Sequence, residues 1–216
     1  MSPLKKIVII GPESTGKSSL CAALAAHYGT HWVPEFAREY LLTFGTDYSF
    51  DDLLTIARGQ LALEDRAYAA ALAAGKSQLF IDTDMYVMKV WCEFVFGRCH
   101  SWILDQIVAR PYDGYLLCRT DLPWVRDDLR EYPDLTSREK LFHLYRDCLV
   151  NQSTPWLEIG GQGENRIAAG VAAANRLLEA GQAPKAEWRK PDGATKAEWR
   201  SGPAGENPAG ESPADH

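Results

Sequence analysis

Gly11-Pro12-Glu13-Ser14-Thr15-Gly16-Lys17-Ser18 joins an aliphatic run, Leu4 to Ile10, to an Ala/Leu-rich stretch, Lys17 to Tyr28. The octapeptide satisfies the Walker A pattern GxxxxGK[ST] at every specified position, in the strand–loop–helix setting that its mechanism requires. There, loop amides and the positive end of the helix dipole converge on a phosphate group. Gly11 and Gly16 permit backbone angles and a close approach that a Cβ would obstruct. Lys17 brings a mobile positive charge to the same oxygens, and the Ser18 hydroxyl suits Mg²⁺. Gly11, Glu13, Ser14, Thr15, Gly16, Lys17, Ser18 and Ser19 are therefore the candidate nucleotide-binding set, with ATP and Mg²⁺ as expected ligands. A Gly-rich turn with an incidental lysine is the plainer alternative, and the flanking strand and helix weigh against it.

Outward from the loop, strand-like and helix-like text alternates. Trp32-Val33 is a short second strand broken by Pro34, with a helix from Glu35 to Leu42. Ser49 and Asp52 form a capping box that opens a long helix running to about Ala74 and ending at Gly75. Leu79 to Ile81 reads as the third strand, and Tyr115 to Cys118 and Trp156 to Ile159 as the last two. Helices are expected near Arg138 to Val150 and from about Asn165 to Ala180. Such alternation means βαβ units, hence a parallel sheet covered on both faces: a three-layer α/β fold.

The chain has 216 residues, 46% hydrophobic and 24% charged, the balance of an ordinary globular protein. Its formal charge is −6, from 23 basic and 29 acidic side chains. That balance gives no electrostatic footprint for nucleic acid or an anionic membrane. The aliphatic run before Gly11 is too short for a signal peptide or a membrane span, so a cytoplasmic protein is expected. Cys21, Cys92, Cys99, Cys118 and Cys148 are odd in number and scattered, which suggests reduced thiols rather than disulfides or a zinc ribbon. Residues 1–180 read as the folded domain. From Gly181 to His216 no Val, Ile, Leu, Phe or Tyr occurs, and Lys185 to Arg189 repeats as Lys196 to Arg200. A segment so poor in apolar surface is expected to be a disordered tail. Its Trp188 and Trp199 are either a weak docking motif or a tolerated repeat.

Three further segments carry candidate chemistry. Phe80-Ile81-Asp82-Thr83-Asp84 places two acids at the carboxyl end of a strand, the edge where open α/β sheets bind ligands. Asp82 is a candidate Mg²⁺ holder; either acid could instead cap the helix starting near Met85. Glu35 and Arg38 follow the second strand. Glu35 could take the proton of an attacking hydroxyl and Arg38 could steady phosphoryl charge, or the two could be a surface pair at i, i+3. Arg119, Arg126, Arg130 and Arg138 follow the fourth strand, where a lid could fold over ATP; Arg130 and Arg138 are preferred, against the reading of a merely solvated loop. Gly160, Gly161 and Gly163 would let backbone approach an adenine ring.

GPESTGKSSL, PEFAREYL, FIDTD, and WVRDDLR with Arg138 together resemble the ribosylnicotinamide kinase domain of bacterial NadR-type proteins, over nearly all of residues 5–180. The resemblance implies a nucleoside-kinase-like P-loop NTPase fold, with five parallel strands in the order 2-3-1-4-5 and a helical lid. It implies ATP- and Mg²⁺-dependent phosphorylation of the 5′-hydroxyl of nicotinamide riboside. It carries over Lys17 and Ser18 as nucleotide and metal contacts, makes Glu35, Arg38, Asp82 and Asp84 candidates on the substrate side, and matches Gln60 to a polar family position. No nucleotidyltransferase or DNA-binding domain precedes Met1, so neither adenylyl transfer nor repression is expected. The pyridinium of such a substrate suits carboxylates and aromatic faces, for which Glu35, Asp84, Trp32, Tyr86 and Trp91 are candidates. A kinase of another nucleoside or small hydroxyl compound, and a nucleotide-sensing ATPase, are the other readings.

Overall fold

The computed structural model describes residues 4–180; the expected tail, with Trp188 and Trp199, lies outside the described residues. Five strands form one parallel sheet: β1 (Lys5–Ile10), β2 (Trp32–Val33), β3 (Gln78–Asp82), β4 (Gly114–Cys118) and β5 (Trp156–Ile159), in the order β2-β3-β1-β4-β5. The register pairs Ile9 with Asp82 on one side and with Leu116 on the other. The loop after β1 therefore opens beside the carboxylate that ends β3.

The helices are α1 (Lys17–Tyr28), α2 (Phe36–Phe44), α3 (Phe50–Ala73), α4 (Met85–Phe96), α5 (Ser101–Ala109), α6 (Leu135–Val150) and α7 (Gly163–Ala180). Strand side chains alternate between faces, and β1 shows the consequence. Val8 and Ile10 join Ile81, Leu117, Val87, Val90, Leu141 and Tyr145 in the core under α3, α4 and α6. Ile7 and Ile9 join Leu20, Leu24, Phe80, Leu116, Ala174 and Leu177 under α1 and α7. A third cluster, including Ala37, Leu53, Ile56, Met88 and Ile103, packs α2 and α5 against α3 and α4.

Local signals explain the helix ends. Ser49 and Asp52 form the expected capping box of α3: the Asp52 amide donates to Ser49 Oγ, and the Ser49 amide donates to Asp52 Oδ2 at 2.8 Å. The lid is helical only from Leu135 onward. Residues 119–134 are an irregular strap, because Pro123, Pro133 and a run of charged residues supply neither the amides nor the apolar stripe that a helix needs. Helix α5 has no counterpart in the sequence reading. Only Ile103 of it is buried, and Val108 is 87% exposed, so its apolar residues do not define one face.

Candidate active site

The phosphate loop is shaped by its glycines and by contacts on its outer side. Gly11 has φ 144°, and a Cβ there would meet the Cys118 carbonyl oxygen at 2.7 Å, so β4 excludes any other residue. Ser14 (φ 56°) and Gly16 (φ 74°) also take left-handed angles. Alternation of this kind curls successive amides toward a common centre, as an anion nest requires. The Pro12 carbonyl accepts from Thr15 Oγ1 at 2.7 Å and from Lys17 Nζ at 3.0 Å, while Ser18 and Ser19 at the start of α1 remain exposed.

Glu13 and Ser14 use their side chains on the strap. Glu13 accepts from Trp124 Nε1 at 2.9 Å, from the Glu131 amide at 2.9 Å and from the Tyr132 amide at 2.8 Å. Ser14 Oγ accepts from the Val125 amide at 2.9 Å and from Arg130 Nη1 at 3.3 Å. Arg138 is buried, and its Nη2 donates to the Ser14 and Leu122 carbonyls at 3.3 and 3.1 Å. Arg38 pairs with Asp127 of the strap at 3.0 Å. The strap is thus fastened across the loop on both flanks.

The two acids ending β3 part company. Asp82 is fully buried, and no hydrogen bond of ordinary geometry reaches either carboxylate oxygen. Burial, then the neighbouring Glu35 charge, push its carboxyl well above the usual range; Lys17 and the nearby hydroxyls of Ser18 and Thr83 pull the other way. An orphaned carboxylate beside the Ser18 hydroxyl fits Mg²⁺, which takes one or two protein oxygens and fills its sphere with phosphate and water. Neither acid lines the cavity, but Asp84, by contrast, has donors for both its oxygens. It caps α4, accepting from the Tyr86 and Val87 amides at 3.0 and 3.4 Å, and takes the Tyr115 hydroxyl at 2.9 Å. Asp84, 1% exposed, thus fills the helix-capping role that the sequence left open beside a place facing the substrate. Between the two acids, Thr83 holds φ 77°, an uncommon angle for a β-branched residue and a local strain at the sheet edge.

A cavity of about 340 Å³ runs from the phosphate loop into a chamber lined by Trp32, Glu35, Arg38, Val87, Trp91 and Phe94, with Arg130 and Tyr132 of the strap on its rim. Tyr86 is not among the lining residues. Gln60 sets the chamber's acidic wall: its Oε1 accepts from the Phe36 amide at 2.8 Å, and its Nε2 donates to the Pro34 and Asp82 carbonyls at 3.3 and 3.2 Å. This buried amide ties the start of α2 to the end of β3 and so holds Glu35 near Asp82. Tyr48 extends the wall, accepting from Trp91 Nε1 at 2.9 Å and donating to Glu131 at 3.0 Å.

One residue of the site has no signature in the sequence. Arg166 of α7 is buried against the phosphate loop and donates to the Thr15 carbonyl at 2.7 Å. It is one of two arginines on an Ala-rich helix, and its acceptors are mostly carbonyls, which leave no mark in side-chain spacing.

A parallel 2-3-1-4-5 sheet, with inward amides after its first strand and an orphan carboxylate after its third, defines a nucleotide-binding α/β domain of the phosphate-loop class. The chain belongs to the AAA domain family, which it matches over residues 6–166. It is 28% identical over 162 residues to the trifunctional NAD biosynthesis/regulator protein NadR of Escherichia coli (strain K12), covering 72% of this chain and 38% of that protein. The same figures hold for the protein of that name from Salmonella typhimurium. The chain therefore spans well under half the length of these curated relatives. The crystal structure of a NadR protein in complex with NR superposes with a TM-score of 0.70 at 21% identity, over 82% of this chain and 50% of that one. Thymidylate kinase from Ehrlichia chaffeensis gives a TM-score of 0.56 at 14% identity, over 81% of this chain and 98% of that one. These likenesses agree with the NadR-type resemblance of the sequence and with its strand order. No helix among the described residues is long and apolar enough to cross a membrane.

Proposed function

We propose that this domain is a kinase that transfers the γ-phosphoryl group of ATP to the 5′-hydroxyl of nicotinamide riboside, giving nicotinamide mononucleotide. The observation that carries the reading is the single cavity that joins the phosphate loop to an aromatic and acidic chamber. A phosphate-loop protein that only senses nucleotide needs no second chamber at its γ-phosphate end. The curated relatives are NAD biosynthesis/regulator proteins, and NadR structures are in complex with NR and with NAD and AMP-PNP, which supports the choice of acceptor.

The residues divide the work as follows. Loop amides from Glu13 to Ser18 hold the β- and γ-phosphates, and Lys17 swings from the Pro12 carbonyl onto the γ-oxygens. Ser18 and Asp82 would hold Mg²⁺, which, bound, neutralises phosphate charge and lowers the Asp82 carboxyl back into its ionised range. Trp32 and Trp91 offer faces to the pyridinium cation, and Glu35 adds the counter-charge. With the ribose seated there, Glu35 accepts the proton as the 5′-oxygen bonds to the γ-phosphorus and the bond to the β–γ bridging oxygen breaks. Arg38 and Arg130, at the chamber rim, meet the charge on the transferring group.

The test is ATP consumption with nicotinamide riboside and the common nucleosides in parallel, each product weighed by mass spectrometry. The expected result is nicotinamide mononucleotide as the dominant phosphorylated product. ADP formed at one rate with every acceptor, and no phosphorylated nucleoside, would contradict the proposal.

A further inference from the structure

Arg166 lies on the far side of the phosphate loop from the acceptor chamber, and its guanidinium reaches three separate segments. Nη2 donates to the Thr15 carbonyl at 2.7 Å and to the Arg119 carbonyl at 3.3 Å. Nη1 donates to Asp121 Oδ1 at 2.9 Å and to the Gly161 carbonyl at 3.0 Å. Asp121 closes the figure by accepting from the Gly161 amide at 2.6 Å. Gly160 fits the same clasp, because a Cβ there would stand 2.9 Å from Asp121 Oδ2. The arginine is 5% exposed, so its charge depends on these partners rather than on water.

The Thr15 contact has a geometric consequence. A trans peptide unit is planar, with its C=O and N–H pointing in opposite directions. A donor that fixes the Thr15 carbonyl outward therefore aims the Gly16 N–H inward, to where the nest holds a phosphate oxygen. Arg138 does the same for the preceding unit: its bond to the Ser14 carbonyl turns the Thr15 N–H inward. The Thr15 hydroxyl and Lys17, both on the Pro12 carbonyl, turn the Glu13 N–H. The consecutive Ser14 and Thr15 carbonyls are thus held by two arginines, and the Arg166 bond is the shorter of the two.

We infer that Arg166 is a positioning residue for nucleotide binding: it presets the Thr15–Gly16 peptide for the β-phosphate and ties that peptide to the β5–α7 turn through Asp121. The inference rests on the phosphate loop being a nucleotide site and is independent of which acceptor fills the chamber. Because the preset amide meets a β-phosphate oxygen, loss of Arg166 acts on ADP and spares AMP.

The experiment measures Kd for ADP and for AMP by calorimetry on the wild-type chain, Arg166→Met and Arg166→Lys, with a thermal melt of each. A charge-assisted hydrogen bond sets the scale. Arg166→Met is expected to weaken ADP about tenfold or more and to change AMP by less than about twofold. Arg166→Lys keeps the buried charge but cannot span four acceptors, so its ADP affinity falls between wild type and Arg166→Met, again with AMP unchanged. Should the Met variant fail to melt cooperatively, the Lys variant carries the test. Wild-type ADP affinity in the folded variants, or ADP and AMP weakening in parallel, overturns the inference. A wild-type chain that binds neither nucleotide removes the phosphate-loop reading itself, a result distinct from either.

Discussion

Lys17 rests on the Pro12 carbonyl of its own loop, 3.0 Å away, and is only partly buried. A side chain held by one hydrogen bond contributes little to the fold and is free to follow a phosphate. Lys17→Ala should therefore lower kcat about 100-fold or more while leaving the melting midpoint within a degree or so. Glu35 faces the chamber without capping α2 through its side chain, which frees its carboxylate for a proton. Glu35→Gln should reduce kcat by about 100-fold to 10,000-fold, with Kd for ADP unchanged; ADP affinity is the control that separates chemistry from folding. At this scale the sequence was legible where function needs a fixed motif and illegible where it needs burial. Gly11 to Ser18 could be read directly. Whether Asp84 faces substrate or caps a helix could not, because both roles place an acid after a strand; the cap shows only in the Tyr86 and Val87 amides, with Tyr115, 31 residues away, on the other oxygen. Arg138 was marked by its place in the expected lid, yet it lies on α6 and its acceptors are the Ser14 and Leu122 carbonyls.

The α2–α3 pair shows how an element sets a site residue. Gly59 on α3 has the Phe36 ring pressed against it, and a Cβ there would lie 2.1 Å from Phe36 Cε1. Phe36 opens α2 directly after Glu35, and Gln60, next to Gly59, holds the Phe36 amide. Gly59→Ala should therefore push α2 outward, costing about 1–3 kcal/mol of stability by urea titration. It should also raise KM for the acceptor while ADP affinity stays near wild type, since the phosphate loop does not touch this contact. The long α3 was readable from its capping box and its terminating Gly75. The closeness of α2 to α3 was not, because a glycine inside a helix reads as a propensity defect until its neighbour is seen. Helix α5, with one buried residue, lacks the periodic stripe that reveals a helix in sequence.

Across the whole molecule, two buried carboxylates sit at the carboxyl end of β3, next to the central strand β1, and both are pushed up by burial. Asp84 rises from an ordinary value of 3.8 to about 7: burial dominates, Tyr115 and the Val87 and Tyr86 amides oppose it, and Glu64 adds to it. The folded chain thus holds a proton between about pH 4 and pH 7 that the unfolded chain has released. Its stabilising contribution is complete below about pH 4 and is lost as pH rises to about 7. Urea midpoints taken across that range should fall with pH, and Asp84→Asn should flatten the slope; an unchanged slope in that variant would assign the effect elsewhere. Layering was legible from the alternation of short aliphatic strands with helices, and strand order only from the family resemblance. The joining of the phosphate loop to an acceptor chamber was not, because it depends on how β2, α2 and the strap close around one space. On the proposed reading, that joining is what separates a kinase from a nucleotide-binding module, and label transfer tests it most directly. With γ-labelled ATP and nicotinamide riboside, the wild-type chain should move label onto the nucleoside, and Lys17→Ala should not. Label released only as inorganic phosphate, at the same rate with and without the nucleoside, would contradict the account.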